Sequence, residues 1–174
     1  MQAHGMREVI GLVLAAVVLG AVVAPVWADG GGGSGGGGGG VTPAKPEDPD
    51  YTAAVRAIKA GQYAAAIPLL QRVVARDGTN ADAYNWLAYA TRRNGDPAAS
   101  IPLYQKALAI DAGHRGAHEY IGEAYLALGD LAHAKEHLAR LDKLCLFPCS
   151  QYRDLKKAVE AYEASGGRVR PASN

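Results

Sequence analysis

Apolar residues recur through the middle of the chain at the spacing of an α-helix. Between Ala81 and Arg93 they fall on one helical face, and a second stripe with the same spacing runs through Ile101, Tyr104 and Leu108. The residues between the stripes, Asn-Gly-Asp-Pro at 94–97, combine a glycine suited to a helix end, an aspartate that can cap a helix and a proline that fits a first turn. The pattern therefore predicts a helical hairpin over 81–114.

The same hairpin recurs once on either side at a period of about 34 residues, without insertion or deletion. Gly61, Gly95 and Gly129 mark the turn in each copy, and Ile67 matches Ile101. Neither helix of a hairpin can bury its stripe alone, so we expect neighbouring hairpins to stack. The predicted helices are Pro49–Ala60, Tyr63–Arg76, Ala81–Arg93, Pro97–Ile110, Arg115–Leu128, Leu131–Leu144 and a last amphipathic helix, Gln151–Ala164, capped by Ser150.

A two-helix repeat of this period resembles the tetratricopeptide repeat (TPR) family. Residues that match the family pattern are Leu87, Ala88, Tyr104, Ala107, Asp111, Ile121, Gly122, Tyr125 and Ala134, whereas Ala57, Thr91, Ser100 and Ala112 depart from it. The resemblance implies an all-α fold, a right-handed TPR-type α-solenoid. It would contain three helical hairpins, 47–80, 81–114 and 115–144 within 47–144, followed by a capping helix within 145–165.

The ends of the chain have a different character. Residues 1–28 have the pattern of a secretory signal peptide: Arg7 precedes a long apolar run over 9–24, and Val26 and Ala28 are small residues before a cleavage site. We expect an exported, periplasmic protein; the alternative is an uncleaved N-terminal membrane anchor. Residues 29–46 are rich in glycine and proline and predict a flexible linker, and residues 166–174 predict a disordered tail.

Charge and motifs narrow the function classes. With 18 basic and 17 acidic residues the formal net charge is +1, and the basic residues are not clustered, so no binding surface for nucleic acid is indicated. No motif of a catalytic triad, metalloprotease or phosphate-binding loop is present. We therefore expect no enzyme activity and no cofactor.

The resemblance also implies where a partner would bind, because the first helices of TPR hairpins line a concave groove. The residues at matching positions are Tyr51, Val55, Ile58, Lys59, Asn85, Tyr89, Arg92, Arg93, Glu119, Glu123 and Leu126. Such a mixture suits a peptide or helix of a partner protein, which predicts a non-catalytic adaptor or scaffold. Tyr51 and Val55 replace the Lys and Asn of relatives that clamp chaperone tails, so that clamp is not expected. The alternative is a groove whose charges only pair internally, Arg92 or Arg93 with Glu123.

Two cysteines are the most distinctive local feature outside the repeats. Cys145 and Cys149 flank a turn at Pro148, and an oxidising compartment would favour a disulfide between them. The alternative is a metal- or redox-linked factor in which this pair acts with His133 and His137, one helical turn apart. Because both histidines fall on the outward side of the TPR pattern, no metal site is predicted. His114 and His118 are expected at the surface.

Overall fold

The computed structural model describes residues 48–167, which form seven helices and no strand. The helices are α1 (Pro49–Lys59), α2 (Tyr63–Arg76), α3 (Ala81–Arg93), α4 (Pro97–Ile110), α5 (Arg115–Ala127), α6 (Leu131–Leu144) and α7 (Ser150–Ala164). Each begins and ends within one residue of its predicted position, and the all-α fold is confirmed. The predicted signal peptide at 1–28, the linker at 29–46 and residues 168–174 of the tail lie outside the described residues.

Local hydrogen bonds explain where the helices begin, and they recur from one hairpin to the next. Asn80 and His114 accept bonds from backbone amides in the first turns of α3 and α5, as Asp96 and Asp130 do for α4 and α6. The glycines at 61, 95 and 129 have positive φ angles of 72°, 102° and 82°, a backbone conformation that favours glycine. The turns predicted from the repeat are therefore present in all three hairpins.

The predicted cap of the last helix is wrong by one residue. Ser150 is the first residue of α7, and Cys149 precedes it without a side-chain capping bond. The physical reason is that the carbonyl of Cys149 accepts the first helical bond, from the amide of Arg153 at 3.2 Å, so the helix starts one position earlier than the serine pattern indicates.

The apolar stripes bury themselves in three successive clusters, each shared by three helices. The first joins α1, α2 and α3 around Leu70 and Val73, and the second joins α3, α4 and α5 around Tyr104 and Ile121. The third joins α5, α6 and α7 around Leu141 and Leu155. The second and third hairpins therefore contribute to their own cluster and, through their first helix, to the cluster of the preceding hairpin, as expected for a repeat that cannot fold alone.

The first helices of the hairpins lie side by side. In the described part of the chain, α3 touches both α1 and α5, whereas α2 does not touch α4 and α4 does not touch α6. The stack is therefore tighter on the side of α1, α3 and α5. We call the solvent-facing surface of these three helices the inner face.

The last helix closes the stack through a close approach at Gly122. Helix α7 packs against α5 and α6, and Leu155 is fully buried there. A Cβ atom at Gly122 would lie 2.6 Å from Cδ2 of Leu155, a distance that packed atoms do not tolerate. The absence of a side chain on α5 thus creates the space that Leu155 occupies.

Within residues 48–167, no helix is both long enough and apolar enough to cross a bilayer.

Candidate functional site

An aromatic cluster centred on Tyr89 of the inner face also includes Tyr63, the first residue of α2. The ring of Tyr89 is 4.9 Å from that of Tyr120, 5.6 Å from Trp86 and 6.1 Å from Tyr63, measured between centroids. All four residues are half-buried, so they offer apolar surface while remaining partly in contact with solvent. The groove positions of the family predict Tyr89 here, but they do not include Trp86 or Tyr120. Trp86 and Tyr120 occupy equivalent positions in consecutive repeats, and this recurrence of an aromatic residue is a sequence signal that could have identified both.

Two arginines border this cluster. Nη2 of Arg92 lies 2.7 Å from Oε2 of Glu123, and the guanidinium carbon stands 5.5 Å from the ring centre of Tyr89. The guanidinium carbon of Arg93 lies 5.0 Å from the ring centre of Tyr63, and Nη1 donates to the Tyr89 hydroxyl at 3.2 Å. Of the two internal pairs left open by the sequence, the structure forms the one between Arg92 and Glu123. The arginines remain beside the rings on which a ligand could pack.

Burial changes the protonation of the groups near this pair. Glu119 is 8% exposed, and its burial, followed by the negative charges of Glu123 and Asp154, raises its pKa to about 7. Burial likewise raises the pKa of Tyr120 to about 12. Asn85 is 4% exposed, and its Oδ1 has no hydrogen-bond partner among residues 48–167. Both predicted residues therefore lie, largely buried, on helices of the inner face, and the protein itself leaves Oδ1 of Asn85 unsatisfied.

Of the remaining predicted residues, Tyr51, Val55 and Lys59 lie on α1, at the other end of the inner face. The prediction is wrong for Ile58 and Leu126, which are buried in the first and third core clusters because they belong to the apolar stripes of α1 and α5. Tyr51 and Val55, together with Thr52, Arg56 and Lys59, line a shallow pocket of about 350 Å³ on α1. Tyr51 also packs against the first core cluster. The inner face thus runs from this pocket, past the aromatic cluster, to the carboxyl groups of α5.

Two histidines, His118 and His114, do not lie at the surface where the sequence placed them. His118, expected at the surface, is 6% exposed; its Nδ1 is 2.9 Å from Nδ1 of His137, and its Nε2 donates to the Ala112 carbonyl at 3.1 Å. His114 is also largely buried, with 13% of its side chain exposed, because it caps α5. Polarity alone suggests a surface position, but a neutral imidazole can be buried when both nitrogens find partners.

The predicted outward orientation holds for His133 but is wrong for His137. His133 is exposed and its ring stacks on Tyr125, whereas His137 is half-buried against His118. Burial and the neighbouring histidines lower the pKa of His137 to about 4. In residues 48–167 no group of three or more potential metal ligands is found, so the alternative of a metal-linked factor gains no support.

The two cysteines lie at the turn between α6 and α7. The structure pairs Cys145 with Cys149, with their Cα atoms 5.8 Å apart, a separation that disulfides span. Between them, Leu146 and Phe147 are 97% and 85% exposed. Oxidation of the pair in the natural protein stays a prediction.

Comparisons with known proteins agree with this architecture. Two profiles described as tetratricopeptide repeat match residues 51–115 and 92–158, which together span well over half of the chain. No curated protein sequence is similar enough to count as a relative.

Three solved structures show the same fold at low sequence identity. The type III secretion translocator chaperone SycD of Yersinia enterocolitica is 19% identical with a TM-score of 0.61, over 68% of this chain and 84% of its own. PcrH, in complex with the chaperone-binding region of PopD, is also 19% identical with a TM-score of 0.61, over 67% and 90%. The first TPR of Spaghetti (RPAP3), bound to an HSP90 peptide, is 23% identical with a TM-score of 0.59, over 66% and 90%. The repeated hairpins, the two profile matches and these structural similarities establish that the chain belongs to the tetratricopeptide repeat family.

Proposed function

We propose that this protein is a non-catalytic interaction module that binds a peptide or helix of a partner protein along its inner face. The observation that carries the proposal is the partly exposed aromatic cluster around Tyr89, bordered by Arg92 and Arg93. Clustered aromatic residues and arginines are the side chains that contribute most to binding at protein interfaces. A cluster needed only for packing would be expected to be fully buried.

The structural neighbours support the same function. SycD has been solved with a peptide of the translocator YopD, PcrH with a region of PopD, and RPAP3 with HSP90 and HSP70 peptides. These are properties of those proteins, and identities of 19–23% carry only the fold to this chain. The proposal therefore depends on the inner-face residues themselves.

A photo-crosslinking experiment tests the binding surface. We expect a benzoylphenylalanine at position 89 to crosslink to a partner in cell extract, and the same group at Gln105, exposed on α4, to give no such product. Mass spectrometry would identify the crosslinked segment, which can then be synthesised. Products formed at position 105 but absent at position 89 would place binding on the outer helices and contradict the proposal.

The affinity of that segment should depend on two side chains. Tyr89→Ala and Arg92→Ala should each weaken its binding by about 30-fold, as expected for central interface residues, whereas Gln105→Ala should leave the affinity unchanged. Calorimetry or fluorescence anisotropy would measure the change, and circular dichroism would establish that each variant is folded. If both variants bound as tightly as the wild type, the aromatic cluster would not be the binding site.

We also infer that the protein is exported, with residues 1–28 removed and Cys145 bonded to Cys149. The sequence pattern of this N-terminal segment supports export, and the pairing of the cysteines suits an oxidising compartment. The intact mass of the protein isolated from its natural host should match a chain that starts at Asp29 and lacks the two thiol hydrogens. A full-length mass would contradict cleavage, and an unchanged number of hydrogens would contradict the disulfide.

A further inference from the structure

The α5 end of the inner face, together with the adjoining helix α7, is rich in carboxyl groups. Glu119 and Glu123 extend from α5, and Asp154 of α7 is near enough to influence Glu119 electrostatically. The cation that also acts on Glu119 is Arg92 of α3, and its guanidinium is already paired with Glu123 at 2.7 Å. The other two carboxyl groups, those of Glu119 and Asp154, have no basic partner in an ion pair within residues 48–167. We call this set, Glu119, Glu123 and Asp154, the acidic end.

The carboxyl group of Glu119 has no ion-pair partner in the unbound protein. Only 8% of the residue is exposed, and no ion pair to it is formed in the described part of the chain. Burial is the main reason that its pKa rises to about 7, and the charges of Glu123 and Asp154 add to the rise while that of Arg92 opposes it. A carboxyl group in this state would gain from a cation that arrives with a ligand.

A second polar group lies on α3, which contacts α5. Asn85 of α3 is 4% exposed, and Oδ1 of its amide is buried without a hydrogen-bond donor among the described residues. The amide nitrogen lies 3.6 Å from the position that a Cβ atom of Gly116 would take, which is one turn before Glu119 on α5. Buried acceptors are normally satisfied, so a donor supplied by a ligand would be favourable at this oxygen.

We infer that the acidic end binds a primary ammonium group, carried by a lysine side chain of the partner peptide. An ammonium group has three donors and no acceptor, which suits carboxylates and an amide oxygen, all of which only accept. The methylenes of a lysine can pack on the partly exposed rings of Tyr120 and Tyr89 while the charged group reaches the carboxyl groups. The inference rests on the function proposed above and specifies one residue of the ligand.

A set of synthetic peptides tests this specificity. The probes are Ac-Tyr-Ala-Leu-X-Leu-Ala-Tyr-NH2 with X as lysine, methionine or glutamate, and n-butylamine serves as a free ammonium. Binding would be followed from the backbone amide signals of the isotope-labelled protein. We expect the lysine peptide to bind about tenfold more tightly than the methionine peptide, with the glutamate peptide weakest, and to shift the amides of α5.

Two substitutions connect this preference to the proposed groups. Glu119→Gln keeps the shape of the side chain but removes its charge, and should reduce the preference for lysine over methionine to less than about threefold. Asp154→Asn, at an exposed position of α7, should reduce it by a smaller factor without risk to the core. The preference should also increase from pH 6 to pH 8 in the wild type, as Glu119 ionises, but not in Glu119→Gln.

Each other outcome contradicts a definite claim. Equal binding of the three peptides at the inner face would overturn the lysine site and leave the proposed function intact. If n-butylamine bound as tightly as the lysine peptide, the site would recognise free amines rather than a peptide. If no peptide shifted the inner-face amides at millimolar concentration, the lysine site would fail, and the crosslinking at position 89 would decide the proposed function separately.

Discussion

Leu155→Ala should lower the free energy of unfolding by about 3 kcal/mol, the largest effect that we expect from a single substitution. Leu155 is fully buried in the third core cluster, and its methyl groups fill the space above Gly122. Since Gly122 has no side chain, nothing on α5 can move in to fill the cavity that the alanine would leave. Urea denaturation at pH 7 would measure the loss, and hydrogen exchange should show the greatest loss of protection in α7.

An exposed leucine on the adjoining turn provides a matched control. Leu146 is 97% exposed, and Leu146→Ala should change stability by less than about 0.5 kcal/mol. Gly122→Ala tests the same contact by changing its α5 partner. It should be destabilising because the new Cβ would lie 2.6 Å from Leu155. A loss below about 1 kcal/mol for Leu155→Ala would mean that α7 contributes little to the fold.

The second large effect concerns the pH dependence of stability. It requires variants because a half-buried histidine and a buried glutamate act in opposite directions. The pKa of His137 is lowered to about 4 in the folded protein, from 6.5 when exposed, so its contribution to stability is present above pH 6.5 and is lost as the pH falls towards 4. The pKa of Glu119 is raised to about 7 from 4.5, so its contribution is present below pH 4.5 and is lost as the pH rises towards 7. In the wild type, the two contributions to the free energy of unfolding should largely cancel as the pH changes between 5 and 7.

Single substitutions should separate the two contributions. Relative to wild type, His137→Gln should gain about 2 kcal/mol of stability when the pH is lowered from 7 to 5, because the variant has no imidazole to protonate. Glu119→Gln should gain a similar amount when the pH is raised from 5 to 8. Urea midpoints at these pH values would test both. Parallel stability curves for wild type and either variant would mean that the substituted group has an ordinary pKa.

The charged groups around His118 and His137 support the lowered pKa of His137. His137 is near His118, His133 and Arg140, all of which oppose a second positive charge. Burial also lowers the pKa of His118; the charge of His114 adds to this decrease, and that of Asp111 opposes it. Because the two Nδ1 atoms are 2.9 Å apart, their hydrogen bond requires that at least one ring be neutral.

The sequence is sufficient to predict the helices because several local signals agree. Gly95 and Asp96 end one helix and begin the next, and the apolar stripe on each side has a helical period. Repetition of these signals at a constant interval predicts the stacking as well. Where local capping, periodicity and repeat length point to the same fold, no tertiary information is needed.

The chemistry of the inner face can be predicted only in part. Tyr89 and Arg92 follow from the positions that line the groove in the family, but the burial of Glu119 and the orphaned oxygen of Asn85 depend on how α3 and α5 pack. The sequence does not predict the histidine pair because His118 and His137 are 19 residues apart on different helices, and no local pattern brings them together. The signal peptide, the disulfide and the binding groove remain predictions.

The three core clusters also determine how quickly the chain can fold. Within the described residues, every helix contacts only helices that lie one or two elements away in the sequence. Each cluster can therefore form without a distant segment of the chain. A topology dominated by such short-range contacts has a low entropic cost of loop closure and is associated with rapid folding. A chain that leaves the ribosome or a translocation channel from its N-terminus could therefore complete the cluster of α1, α2 and α3 while α7 is still unfolded. Aggregation would then be limited because each apolar stripe is exposed only briefly. Its burial does not depend on a contact with a distant segment that forms late.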